Sequence, residues 1–188
     1  MTTIIDGSGS ADFATPLPVA EGGTGATSNI IGTVASVNML QTRTQGDFAA
    51  GTSGNGTVIT PLNITFTPKQ AGNKVILEFS ANGEGSTNSV FLVSRNDVLL
   101  ADSTDASNNR WAGVANMAHD NDDDSTTNNN FIRILDLNTL ATETTYKLQI
   151  RASGGSANTY KLNRPIGSAG ADNYETTLSV ATATEIWT

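Results

Sequence analysis

The chain contains no cysteine, which excludes disulfide staples, thiolate metal sites and cysteine nucleophiles. It contains one histidine, His119, so no site can be built from several imidazoles. Charge is scarce: 15% of residues are charged, against roughly 25% in ordinary globular domains. Cations are the scarcer sign, with 10 Lys and Arg against 18 Asp and Glu and a net charge of −8. No cluster gathers the cations, so nucleic acid is not an expected partner. No apolar run approaches the roughly 18 residues of a membrane-spanning helix, so membrane insertion is not expected. The opening residues lack a basic stretch followed by an apolar one, so no secretory leader is expected either.

What is present is uncharged polarity. Threonine alone accounts for 27 of 188 residues, with many Asn, Ser and Gly. Threonine is β-branched and favours strands, while Asn and Gly serve turns. Apolar residues at helical spacing are never sustained, whereas alternation recurs. Strands are expected over 32–39, 58–66, 74–80, 90–95, 98–102, 131–137, 146–151, 160–162 and 176–187. Asn96-Asp97 reads as a two-residue hairpin turn. Segments 45–56 and 103–130 read as long loops, the second too long for an ordinary connection. The expected class is all-β: an antiparallel, jelly-roll-like β-sandwich over residues 33–188.

Residues 1–32 differ in composition. Gly7-Ser8-Gly9-Ser10 breaks any early strand, and Pro16 and Pro18 prevent regular pairing. The apolar residues there are too few to bury a core. The segment is therefore expected to be an extended N-terminal arm whose conformation comes from neighbours. Its attachment residues would be Leu17, Pro18, Val19, Gly22, Gly23, Thr24 and Gly25. Gly22-Gly23-Thr24-Gly25 is not a phosphate cradle, because the lysine of a P-loop is missing.

Few groups have catalytic character. Glu is limited to Glu21, Glu78, Glu84, Glu143, Glu175 and Glu185, and no G-x-S-x-G occurs. No acid pair stands in a glycosidase context, so no enzyme activity is expected. Asp120, Asp122 and Asp124 repeat at the spacing of a calcium loop. The glycine position of such a loop then holds Ser125, and the closing Glu position holds Phe131. The run reads as a solvated acidic loop with no cofactor, calcium being the one cation its spacing admits. Trp111 lies in the same long loop beside Arg110, followed by Asn116 and His119. An aromatic face beside polar side chains suits a saccharide, and these four are the candidate receptor-binding residues. Trp111 also reads as a cover for the sandwich end, and Trp187 as core or interface.

Two stretches carry a resemblance. "LPVAEGGTGATS" (17–28) resembles a segment found near the N-terminus, or between modules, of many bacteriophage tail-fibre proteins. "ITFTPKQAGNKVILEFSANGEG" (64–85), "FLVSRNDVLLAD" (91–102), "TTYKLQIRASGG" (144–155) and "TEIW" (184–187) resemble the C-terminal β-sandwich of phage fibre and virion-surface proteins. Those modules are similar in topology to the tumour-necrosis-factor and C1q jelly rolls, which trimerise. The resemblance implies a structural virion protein: a homotrimeric tail fibre that attaches to the host bacterial surface. Its implied partners are other virion proteins of the tail, baseplate or capsid, and a host surface glycan. A capsid decoration or head-fibre protein, and a non-viral carbohydrate-binding module, are the alternatives.

Overall fold

A computed structural model describes residues 34–52, 54–100, 104–105, 110–111, 113–118, 127–137, 139–152, 158–166 and 177–188. The expected arm, 1–32, lies outside the described residues. The rest is an antiparallel β-sandwich of two six-stranded sheets plus a two-stranded ribbon.

The first sheet holds β1 (Val34–Thr42), β2 (Gly46–Ala50), β5 (Lys74–Glu84), β11 (Asn129–Asp136), β13 (Asn158–Leu162) and β14 (Ser179–Ile186). β5 is its long spine. β11 pairs along one side, and β14 followed by β13 pairs along the other. β1 and β2 then pair with β14 and β13 respectively. The second sheet holds β3 (Thr57–Val58), β4 (Ile64–Phe66), β6 (Ser89–Arg95), β7 (Val98–Leu99), β10 (Ala115–Asn116) and β12 (Thr144–Ala152). β12 is central there, with β6 on one side and β3 and β4 on the other. β8 (Thr104–Asp105) and β9 (Arg110–Trp111) form the ribbon.

The alternation seen in the sequence becomes the core. Val75, Leu77, Phe79 and Ala81 of β5 face Tyr146, Leu148 and Ile150 of β12, and all are buried. Phe91 and Tyr160 join the two sheets edge to face, with centroids 5.6 Å apart. Asn96 and Asp97 both take positive φ, 47° and 68°, as a tight two-residue hairpin requires.

Three expectations need correction. The strand expected over 58–66 is broken, because Pro61 cannot donate to a ladder and instead begins a 3-10 turn, Thr60–Leu62. The loop expected over 45–56 contains β2, whose small residues Gly46, Ala49 and Ala50 look like loop but pair with β13. The expected loop over 103–130 carries the short strands β8, β9 and β10.

β13 and β14 occupy one row of the sheet, although 16 residues separate Asn163 from Ser179. A polar knot closes the seam between them. Ser179 Oγ accepts from Asn82 N (2.9 Å) and donates to Asn163 Oδ1 (2.6 Å). Asn163 Nδ2 donates to the carbonyls of Thr42 and Thr44, where the edge strand bends between β1 and β2. Gly83 lets β5 pass this seam: its φ is +155°, and a Cβ there would lie 2.2 Å from the Lys161 carbonyl oxygen.

Candidate functional site

The outer face of the first sheet is the outstanding surface of the described residues. On β11 the outward positions are Phe131, Arg133 and Leu135, and on β5 their partners are Ser80, Glu78 and Ile76. On β14 the row continues with Val180, Thr182 and Thr184, and on β1 with Gln41, Met39 and Val37. A bulge between Val34 and Ser36 resets the β1 alternation. Val34 therefore shares the outer face, while Ser36 turns inward. Val34, Val37, Met39, Phe131 and Leu135 are 59%, 56%, 58%, 60% and 42% exposed. These are large apolar side chains on strands at the two sides of one sheet.

Charge is nearly absent from this face. Glu78 and Arg133 form an exposed pair at 3.6 Å, and Lys74 stands at one corner. In a chain of net charge −8, this leaves a neutral surface of Thr, Val, Ile, Leu, Met and Phe. Four strands about 4.8 Å apart and about 25 Å long make roughly 500 Å² in projection. That is the same order as the about 800 Å² that each partner buries in a standard interface. Interface cores are depleted of Lys, Glu and Asp and enriched in aromatics, Met and Arg, as here.

Buried carboxylates anchor the ends of this sheet from its inner side. Glu185 is fully buried. Oε1 accepts from Lys69 N (2.8 Å), Gln70 N (3.2 Å) and Asn73 Nδ2 (2.7 Å), and Oε2 accepts from Ser36 Oγ (2.6 Å). Burial alone raises its pKa, but the hydrogen bonds from Ser36, Asn73 and the two amides win and hold it below the usual value. Glu185 thereby pins edge strand β1 to the turn before β5. At the end of β11, Asp136 accepts from both Arg95 Nη1 (2.9 and 3.0 Å) and Tyr146 Oη (2.9 Å). Burial and then the charge of Asp136 push the Tyr146 phenol far above its ordinary range. On the outer side of β13, Asp47 bridges Lys161 (2.7 Å) and Arg164. Burial there opposes ionisation, yet the two cations lower the Asp47 pKa.

The candidate receptor residues are placed as follows. Arg110 and Trp111 form β9 of the ribbon, opposite Asp105 and Thr104. Asn116 is exposed on β10, at the edge of the second sheet, opposite Val90. The two strands thus belong to different sheets. His119, Asp120, Asp122 and Asp124 lie outside the described residues, as do Leu17, Pro18, Val19, Gly22, Gly23, Thr24 and Gly25. Among the described residues no three His, Cys, Asp or Glu side chains converge as a metal site.

The apolar face was missed in the sequence, though a signal for it exists. Phe131-Ile132-Arg133-Ile134-Leu135 is apolar on both strand faces, which a half-buried edge strand does not need. No family model matches the chain. No curated protein matches it either.

Proposed function

We propose that this chain is a structural, non-enzymatic attachment protein of a bacteriophage particle, a tail fibre whose β-sandwich heads associate as a homotrimer. The observation that carries the assembly is the charge-poor, apolar outer face of the first sheet. Its exposed Met39, Phe131 and Leu135 gain by leaving water, and few charges oppose close approach. β1 belongs to this face and follows directly on the segment 1–33. Packing through it gathers the N-terminal segments of the copies, as attachment to a common site on the particle requires. The phage assignment rests on the resemblance of the 17–28 segment to tail-fibre proteins. Recognition of a host surface glycan falls to Arg110, Trp111 and Asn116, none of which belongs to a strand of the first sheet. Three copies raise avidity even where each contact is weak.

Two measurements test the reading. Sedimentation equilibrium at micromolar concentration is expected to give three times the 19.5 kDa chain mass. A monomer removes the assembly. Gold-labelled antibody against the protein is expected to decorate the tails of its parent particles. Label on the capsid shell instead makes it a decoration protein, and label on neither removes it from the virion.

A further inference from the structure

We propose that Gly54–Gly56 is a strap over a small binding floor for a neutral saccharide, built by Ser94 and Gln149 on the outer side of the second sheet. Lys147, Gln149 and Arg151 form one outward column on β12, and their cross-strand partners on β6 are Ser94, Leu92 and Val90. An outward column is ordinarily wet. Here Ser94 and Gln149 are 0% and 3% exposed.

The strap accounts for a cover at this place. Arg151 Nη1 donates to the Gly54 carbonyl (3.0 Å), and Asn55 Nδ2 donates to the Asp97 carbonyl (3.2 Å). Asp97 is also the residue that Lys147 Nζ reaches (2.6 Å). The strap is thus tied to the two ends of the column, and Gln149 lies between those ends. Gly54 and Asn55 are themselves exposed, as the top of a cover should be. Gly54 and Gly56 hold φ of +65° and +76°, conformations that favour glycine. A Cβ at Gly56 would lie 2.5 Å from the Ile150 carbonyl oxygen, so the chain must be bare to lie this close to β12.

On this outer side of the sheet, Ser94 Oγ and Gln149 Oε1 are buried with no hydrogen-bond partner. Native interiors rarely tolerate such groups without a reason. The two are diagonal neighbours on adjacent strands, within reach of one small molecule. Their chemistry defines it. A carbonyl oxygen needs a donor and repels an anion, while a serine hydroxyl both donates and accepts. Adjacent hydroxyls of a neutral sugar meet both needs, and they still do so if the Gln149 amide is turned over. Opening requires release of the two strap hydrogen bonds, with the glycines as hinges. The site lies on the second sheet and the assembly face on the first, and the site does not depend on the phage assignment.

Saturation-transfer NMR on the full chain tests the site, with glucose, galactose, mannose, N-acetylglucosamine and glucuronate as probes. At least one neutral sugar is expected to receive saturation, and glucuronate to receive no more than glucose. Gln149→Leu and Ser94→Ala are each expected to weaken the neutral sugar about tenfold, the loss of one hydrogen bond. Their melting temperatures are expected to equal or exceed that of the parent, since each removes a buried unpaired group. Saturation of none of the neutral sugars overturns the proposal, and the pair then holds no more than an ordered water. Unchanged affinity in both variants, or preference for glucuronate, overturns it equally.

Discussion

Ser179 Oγ donates a 2.6 Å hydrogen bond to Asn163 Oδ1, and that bond joins the end of β13 to the start of β14. Both residues are fully buried. The two strands share one row of the first sheet, so this contact, more than any apolar one, fixes where the returning chain re-enters it. Six hydrogen-bonding groups of Thr42, Thr44, Asn82, Asn163 and Ser179 depend on the same knot.

Removing the hydroxyl strands two buried groups, the Asn82 amide and the Asn163 side-chain carbonyl. Ser179→Ala is expected to cost about 2 kcal/mol. That corresponds to a melting temperature lower by about 4–8 °C for a chain of this size. Asn163 also has φ +57°. Asn163→Gly keeps that conformation and loses only the hydrogen bonds, whereas Asn163→Ala adds left-handed strain. Alanine is expected to be worse than glycine by about 1 kcal/mol, a difference read directly from two denaturation curves.

Arg95 and Asp136 give the second prediction. The Asp136 carboxylate is 3% exposed and shared between the Arg95 guanidinium and the Tyr146 hydroxyl. Arg95→Ala leaves a buried carboxylate without this cation, and the expected loss is about 3 kcal/mol. Asp136→Asn in the same background removes the orphaned charge and is expected to restore part of it. Tyr146→Phe removes one hydrogen bond and is expected to cost about 1 kcal/mol. Urea denaturation of the four proteins checks the order.

The hairpin at Asn96-Asp97 and the alternating strands β5, β6 and β12 were legible in the sequence, because local turn chemistry and a period of two each act over a few residues. The seam was not. Asn82, Asn163 and Ser179 are polar residues with no sequence proximity, and nothing local marks them as buried. β2 was hidden for the opposite reason: its glycine and alanines have little strand propensity of their own, and pairing with β13 supplies what they lack. The bulge that puts Val34 and Val37 on one face broke the alternation and concealed half of the apolar surface. The Arg110–Trp111 pair was singled out for its chemistry, and the fold gives it a short two-stranded ribbon of its own.

Glu185 contributes to the acid sensitivity of the fold. Its folded pKa lies below the ordinary 4.5, so the carboxylate releases its proton more readily in the folded chain. The stability it contributes is complete above about pH 4.5 and is lost as pH falls through the lowered folded value. Glu185→Gln weakens charge-assisted bonds from Lys69, Gln70, Asn73 and Ser36 and is expected to cost about 2 kcal/mol at pH 7. Melting temperatures of parent and variant should therefore converge as pH falls from 4.5 through the lowered folded value. Tyr146 and Tyr160 act at the other end. Burial, the largest cause for both, raises their pKa values, so stability falls as pH rises above about 10, the ordinary phenol value.

The last prediction concerns the outer face of the first sheet. Phe131 and Met39 stand on β11 and β1, at the two sides of the face, and neither contributes to the buried core. Phe131→Glu and Met39→Glu each place a carboxylate where copies are proposed to meet. In the folded monomer the change is on the surface, so the cost to the sandwich itself is expected to stay within about 0.5 kcal/mol. In the assembly the added carboxylate loses water on a face whose Arg133 is already paired with Glu78, at a cost of several kcal/mol per subunit. Sedimentation is therefore expected to show loss of the trimer at micromolar concentration, while far-ultraviolet circular dichroism is unchanged. Val98→Glu is the control: Val98 is 66% exposed but lies on β7 of the second sheet. It carries the same added charge and is expected to leave the trimer intact. Dissociation by Val98→Glu as well would assign the effect to net charge, and survival of both face variants would place the subunit interface elsewhere.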